Sequence, residues 1–208
     1  MIVLADNDVL FKLAQCDLFD EFLGAFGVTT DGIRILKLAR FSIVSKKHRK
    51  RIGEESFARL STFLAAVGDI TDEPDPHQIA IMTEYPGIDA GEAALFVLCP
   101  LIAEAVIVTG DKKSLTGLTE AGETDALCAT LCQTLAGRLY CFEQVLIRIL
   151  DHYGFEAIRE RLVKGRECDR GLALWLGSGL DANETSFRDG LTSFLNEVRH
   201  ASGNLLAE

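Results

Sequence analysis

The chain has 208 residues, 48% of them hydrophobic, which is enough to build the core of one domain with an appendage. Its net charge of −10 and pI of about 4.9 argue against bulk affinity for nucleic acid. No run of about 18 uncharged apolar residues occurs, so we expect no membrane span. The start of the chain lacks the pattern of a signal peptide and the six cysteines are scattered, so we expect a reduced, cytoplasmic protein.

The first predicted elements are a strand and a long helix. Residues 2–6 form an apolar run typical of a buried strand, and residues 8–25 carry Leu10 and Leu13 at helical spacing. Further strands are predicted at 26–30, 105–109 and 138–142, and further helices at 32–41, 54–67, 77–85, 89–99, 111–117 and 124–136. This alternation predicts an α/β fold of the three-layer α/β/α type, with a mostly parallel central sheet covered on both faces.

After about residue 143 the sequence predicts only helices. One of them is marked by Phe155, and another, containing Phe187, has a wide apolar stripe that needs a packing partner. The stripe either covers the preceding domain or forms an interface with another chain. We therefore predict a domain over 1–150 and a C-terminal helical extension over 151–208 that packs on the domain or forms an interface.

The positive charge is concentrated in one segment. Residues 34–59 carry a net charge of +7, whereas the remaining 182 residues sum to −17. A solvated loop or helix start explains this cluster as well as a phosphate-binding role does. The densest part contains the candidate nucleic-acid contacts Lys46, Lys47, Arg49, Lys50 and Arg51.

Three short acidic segments share one layout. Asp6 follows the first apolar strand, and Asp111 follows the strand predicted at 105–109. Glu92 lies in the first turn of the helix that begins near Asp89. Because a parallel sheet gathers the carboxyl ends of its strands on one edge, we expect these carboxylates to meet there. Carboxylates held together repel one another unless a cation balances them, and oxygen ligands favour Mg²⁺ or Mn²⁺.

Each acid also has a simpler explanation. Asp6 and Asp111 can cap the helices that follow them, and Asp89 with Glu92 fits the spacing of a capping box. The coincidence of three such caps at the expected ends of the sheet favours a shared site.

The three segments also resemble a known family. They match, in family order, the motifs of the PIN domain, with the following sequences: Asp6-Asn7-Asp8-Val-Leu, Asp89-Ala-Gly-Glu92-Ala-Ala and Thr109-Gly-Asp111-Lys. PIN domains are metal-dependent nucleases, mostly acting on RNA, and many are toxins of bacterial toxin–antitoxin modules. The resemblance covers residues 1–150 and leaves 151–208 outside it.

The resemblance implies a mechanism and partners. Asp6, Glu92 and Asp111 would bind Mg²⁺ or Mn²⁺ and catalyse hydrolysis of RNA phosphodiester bonds, and Asp8 would orient a water molecule or accept its proton. Lys112 and Lys113 would contact the RNA backbone, with the basic segment holding the flanking strand. A toxin-like protein would have a protein antitoxin and could form a homodimer.

Two departures from the family pattern leave other functions open. The family usually has a Glu after the second strand and a further acid after Thr-Gly-Asp, and this chain has neither, so it could hold one metal or be inactive. One alternative is a haloacid-dehalogenase-like phosphatase with Asp6 as nucleophile, Asp8 as general acid and Gly110-Asp111 as metal motif. That motif requires a second acid where Leu115 stands. A catalytically degenerate PIN-like binding protein is the other alternative.

Overall fold

The computed structural model covers residues 1–208 and describes all of them except the side chain of Lys46. The strands are Ile2–Ala5 (β1), Ile33–Ile35 (β2), Gly68–Asp69 (β3), Ala105–Thr109 (β4) and Leu139–Cys141 (β5). The α-helices are Asn7–Cys16 (α1), Phe19–Phe26 (α2), Lys37–Ile43 (α3), Lys46–Ile52 (α4), Glu54–Ala66 (α5), Pro76–Met82 (α6), Ala90–Leu98 (α7), Lys112–Thr124 (α8), Ala126–Leu135 (α9), Phe142–Tyr153 (α10), Phe155–Gly165 (α11), Arg170–Trp175 (α12) and Glu184–Ser202 (α13).

The strands form one parallel sheet in the order β3-β2-β1-β4-β5. Side chains alternate along the central strand β1, as the pleat requires. Val3 and Ala5 belong to the core that contains residues of α1, α2 and α5, whereas Leu4 belongs to the core on the opposite face with residues of α7, α8 and α9. Helices therefore cover both faces, and the predicted three-layer α/β/α fold is confirmed.

The second strand lies later in the chain than predicted. The strand predicted at 26–30 is wrong, because Phe26 ends α2 and the strand is Ile33–Ile35, and the helix predicted at 32–41 begins only at Lys37, as α3. Phe26 is buried beside Phe22, and Gly27 ends the helix in the left-handed conformation at φ 61°. The true strand is only three residues long, so its alternation of buried, half-buried and buried residues gives a weak signal.

Two further differences concern element boundaries. The single helix predicted at 8–25 is two helices, because Asp17 adopts a left-handed conformation at φ 55° and ends α1. The two-residue strand β3 was not predicted, and it pairs only through Arg34 with Gly68 and Ile35 with Asp69. A strand as short as β3 is determined by its pairing with β2 and not by its own sequence pattern.

The extension packs directly on the first 150 residues. Phe155, Phe187 and Leu191 lie in the same core as residues of α1 and α2. The tail runs parallel to β5, where Leu139 donates its N–H to the Leu205 carbonyl at 3.1 Å. The apolar stripe of α13 is therefore covered within this chain. Among the described residues, no helix is both long and apolar enough to cross a membrane.

Candidate metal centre

The candidate site lies at the carboxyl edge of the sheet, between β1 and β4. From β1 the chain proceeds through β2 and β3 in one direction, and β4 and β5 lie on the other side of β1. In parallel α/β sheets the crevice at such a reversal of strand order is the usual ligand site. Asp6 follows β1 and donates its backbone N–H to the Val108 carbonyl of β4 at 3.0 Å. The structure thus brings Asp6 beside the turn that carries Asp111.

Hydrogen bonds link the two strand ends. The Thr109 hydroxyl lies 3.4 Å from Asp6 Oδ2 and accepts the backbone N–H of Asp111 at 3.1 Å. Thr109 is itself buried, so its hydroxyl is held in place between the Asp6 carboxylate and the Asp111 backbone. This supporting role of Thr109 agrees with its position in the Thr-Gly-Asp segment.

Each acid caps a helix, as the simpler explanation predicted. Asp6 Oδ1 accepts the Asn7 N–H at 2.6 Å at the start of α1, and Asp111 Oδ1 accepts the Lys113 N–H at 2.8 Å at the start of α8. Capping is therefore confirmed. It employs one oxygen of Asp111 and leaves Oδ2 outside the capping hydrogen bond, so a cap and a ligand role are compatible.

A complete capping box begins α7. Asp89 Oδ1 accepts the N–H groups of Gly91 at 2.8 Å and Glu92 at 2.9 Å, and Glu92 Oε2 accepts the Asp89 N–H at 2.8 Å. Glu92 is only 6% exposed, although a carboxylate that merely caps a helix is normally solvated. Glu92 therefore differs from an ordinary capping residue, because it is buried beside other acids.

The electrostatics show that these acids share one neighbourhood. Burial is the main cause that raises the pKa of Glu92 to about 8, and the negative charges of Asp89, Asp111 and Asp6 add to it. Burial likewise raises the pKa of Asp6 to about 6, with contributions from the charges of Asp8 and Asp89, against the lowering effect of backbone N–H groups. Without a cation, the folded protein therefore retains the Glu92 proton near neutral pH.

This donor set fits a hard divalent cation in its chemistry. Carboxylate oxygens are the ligands that Mg²⁺ and Mn²⁺ prefer, and the mutual repulsion of the acids is the kind that a cation relieves. Among the described residues, however, no three His, Cys, Asp or Glu side chains converge closely enough to enclose an ion. Ion binding would therefore require the carboxylates to rotate from their capping conformations.

Asp8 differs from the other acids because it already has a cation. Lys12 Nζ lies 2.8 Å from Asp8 Oδ2 and 3.0 Å from Asp169 Oδ2. A Cβ on Gly110 would lie 2.3 Å from Asp8 Oδ2, so only glycine lets this carboxylate pack against the turn before Asp111. Sequence reasoning missed Lys12 and Asp169; a lysine among the core positions of α1 was the available signal.

The predicted nucleic-acid contacts differ in their surroundings. Lys112 Nζ lies 2.6 Å from Oε1 of Glu143, which is 1% exposed, and it also lies over the Phe194 ring at 4.0 Å. The Lys112 ammonium is thus engaged in the interior of the protein. Lys113, two residues after Asp111, has an exposed side chain.

The predicted contacts of the basic segment belong to helix α4, whose described basic side chains are exposed. Arg49 pairs with Glu54 at 2.8 Å, and Arg51 lies 4.4 Å from the ring of Phe11 in α1. Lys47 and Lys50 are exposed, and the side chain of Lys46 lies outside the described residues. The contact with Phe11 anchors α4 on the helix whose first turn follows Asp6.

A cleft of about 860 Å³ opens beside the acids. Asn7 and Asp89, which adjoin the candidate acids, line it together with Asp72 and Glu73. Leu38 of α3, which is 82% exposed, also lines this cleft. The cleft is therefore partly acidic and partly apolar.

This chain gives no match to protein-family models, to curated proteins or to solved structures. What it does is therefore inferred from its own residues.

Proposed function

We propose that this protein is a nuclease that hydrolyses RNA phosphodiester bonds with Mg²⁺ or Mn²⁺ held by Asp6, Glu92 and Asp111. The observation that supports the proposal is that Thr109 joins the strand-end acids Asp6 and Asp111 where the strand order reverses, and that the charges of both acids reach the buried Glu92. Ligands bind at this place in parallel α/β sheets because the strand ends leave a crevice there.

The chain's own residues supply the rest of the site. A bound divalent ion would lower the pKa of a water molecule and offset charge that develops on the phosphate. The Thr109 hydroxyl contacts the Asp6 carboxylate and accepts the Asp111 backbone N–H, so it keeps the two strand ends that carry these acids together. Asp8 is partly exposed and can accept a hydrogen bond from water with the oxygen that Lys12 does not contact.

Contacts with the RNA backbone are assigned to exposed cations. Lys113 lies beside Asp111, and Lys47 and Lys50 lie on α4. Lys112 is not assigned such a contact because its ammonium pairs with the buried Glu143. The chain is strongly acidic elsewhere. We therefore expect RNA to contact only these residues, and we expect its affinity to fall steeply as the salt concentration rises.

The phosphatase alternative is less well supported. A general acid must face the leaving group, but Asp8 Oδ2 is engaged by the Lys12 ammonium at 2.8 Å. The second acid of the phosphatase metal motif would stand at Leu115, which is fully buried in the core. Neither position offers the group that the phosphatase reaction requires.

Cleavage of a labelled single-stranded RNA in the presence of Mn²⁺ tests the proposal. The informative variant is Asp111→Asn, because asparagine is as good a helix cap as aspartate but a poor ligand for a hard cation. Asp125→Asn is the matched control, since Asp125 caps α9 in the same way through the Cys128 N–H. We expect cleavage by the wild type and by the control, and none by Asp111→Asn.

Two results would contradict the proposal. Equal cleavage by Asp111→Asn and the wild type would mean that a contaminating nuclease or another site acts. Hydrolysis of p-nitrophenyl phosphate without cleavage of RNA, lost in Asp6→Asn, would favour the phosphatase.

A further inference from the structure

Beneath the candidate site, a buried lysine connects three parts of the chain. Lys12 in α1 is 7% exposed, and its ammonium lies 2.8 Å from Asp8 Oδ2, 3.0 Å from Asp169 Oδ2 and 3.2 Å from the Gly110 carbonyl oxygen. An ammonium group has three donors, and these three acceptors satisfy them. The ring of Phe142 closes the space at 5.1 Å. Lys12 is therefore fixed in one position.

One of the three acceptors comes from the extension. Asp169 precedes α12 and divides its carboxylate between two tasks: Oδ1 accepts the N–H groups of Gly171 at 2.8 Å and Leu172 at 3.3 Å, and Oδ2 faces Lys12. Burial alone would raise the pKa of Asp169, but the Lys12 ammonium outweighs it and holds the pKa below its ordinary value. The carboxylate is therefore charged and bound at both oxygens.

The other two acceptors belong to the site. The Gly110 carbonyl is part of the turn that leads to Asp111, and Asp8 packs against the same turn with no room for a side chain at Gly110. A shift of Lys12 would release both the turn and Asp8. Lys12 in turn depends on Asp169, because a buried ammonium without its full set of acceptors is unfavourable.

We propose that Asp169 is a positioning residue of the metal site: it holds Lys12 against Gly110 and Asp8 and thereby fixes the turn that carries Asp111. This inference rests on the proposed function, since it concerns the same site. Residues 151–208 would then contribute to the site, although the resemblance to the PIN domain covers only residues 1–150. Partners bonded directly to a metal ligand change metal affinity or activity about 10–100-fold when they are replaced, and Asp169 acts on Asp111 only through Lys12 and Gly110, so we expect the lower end of this range.

Asp169→Asn separates the two tasks of this side chain. The amide oxygen can still cap α12, because asparagine caps as well as aspartate, while the oxygen that faces Lys12 becomes an NH₂ group without charge. Trp175, the only tryptophan of the chain, lies in α12, and its fluorescence reports whether that helix is intact. Asp125→Asn is again the control, as a cap of another helix.

The experiment measures Mn²⁺ affinity of the full-length protein by calorimetry. We expect Asp169→Asn to bind Mn²⁺ about tenfold more weakly than the wild type with unchanged Trp175 emission. Asp169→Glu, which restores the carboxylate, should recover at least part of the loss. Asp125→Asn should match the wild type.

The outcomes are separable. Wild-type affinity in Asp169→Asn would overturn the inference and leave the proposed function standing. A loss of affinity with altered Trp175 emission, not recovered by Asp169→Glu, would overturn it as well, because Asp169 would then act only on the folding of α12. Absence of Mn²⁺ binding in the wild type would instead refute the proposed function.

Discussion

Replacing Glu92 by glutamine should stabilise the protein in the absence of metal. Glu92 is 6% exposed and its pKa is raised from 4.5 to about 8 by burial and by neighbouring acids. Below about pH 4.5 Glu92 is neutral in the folded and unfolded chains, so its ionisation does not lower the free energy of unfolding. Between about pH 4.5 and 8 the unfolded chain releases the proton while the folded chain retains it, so stability falls as the pH rises. Above about pH 8 the cost stays constant.

The size of the effect follows from the two pKa values. Each tenfold change in proton affinity is worth about 1.4 kcal/mol, so the full cost of charging Glu92 is roughly 3–5 kcal/mol. Glutamine avoids this cost and keeps the capping box, because its amide oxygen can accept the Asp89 N–H as Glu92 Oε2 does. Glu92→Gln should therefore exceed the wild type in free energy of unfolding by a margin that grows from near zero at pH 4.5 to a few kcal/mol at pH 8.

Urea unfolding with EDTA at pH 4.5, 6, 7 and 8 measures that margin. The exposed Glu84→Gln provides the control, and its difference from the wild type should stay small at every pH. Added Mn²⁺ should stabilise the wild type but not Glu92→Gln, so the order of stability should reverse at high metal concentration. A margin that is constant with pH would refute the electrostatic account of this site.

Three other predictions follow from the same geometry. The Mn²⁺ affinity of the wild type should rise by up to about tenfold per pH unit between pH 6 and 8, because the ion must displace the proton of Glu92, whose pKa is about 8. A Mn²⁺ affinity that does not change with pH would contradict this. Gly110→Ala should cost about 1–3 kcal/mol in urea unfolding, because its Cβ would overlap Asp8 Oδ2, and a neutral result would mean that the turn can move. Lys50→Gln should reduce the salt dependence of single-stranded RNA binding by about 0.7 in the log–log slope, whereas Lys164→Gln, on α11, should not change it.

The sequence was sufficient for the parts of the site that local pattern determines. Asp6 and Asp111 follow apolar runs that are buried strands, and adjacent parallel strands place their carboxyl ends together. The position of β4 at Ala105–Thr109 agrees with the prediction because its five residues are bounded by clear turn signals. The capping box at Asp89 could likewise be predicted from residue spacing alone.

The remaining parts depend on contacts between distant residues. The strands β2 and β3 have three and two residues, too few for a periodic pattern to identify them. The pairs Lys12 with Asp169 and Lys112 with Glu143 join segments far apart in the chain, and nothing in the local sequence of one partner indicates the other. A charged residue in an otherwise apolar helix face shows that a partner exists but does not identify it.

The most direct test of the metal site is calorimetric titration of Mn²⁺ into the wild type and Asp6→Asn at pH 8, where we expect Asp6 to be ionised because its pKa is about 6. We predict saturable binding by the wild type, accompanied by proton release, and loss of that binding in Asp6→Asn, with Asp125→Asn unchanged. No binding by the wild type, or equal binding by Asp6→Asn, would contradict a metal site at this edge of the sheet and would leave these acids as helix caps.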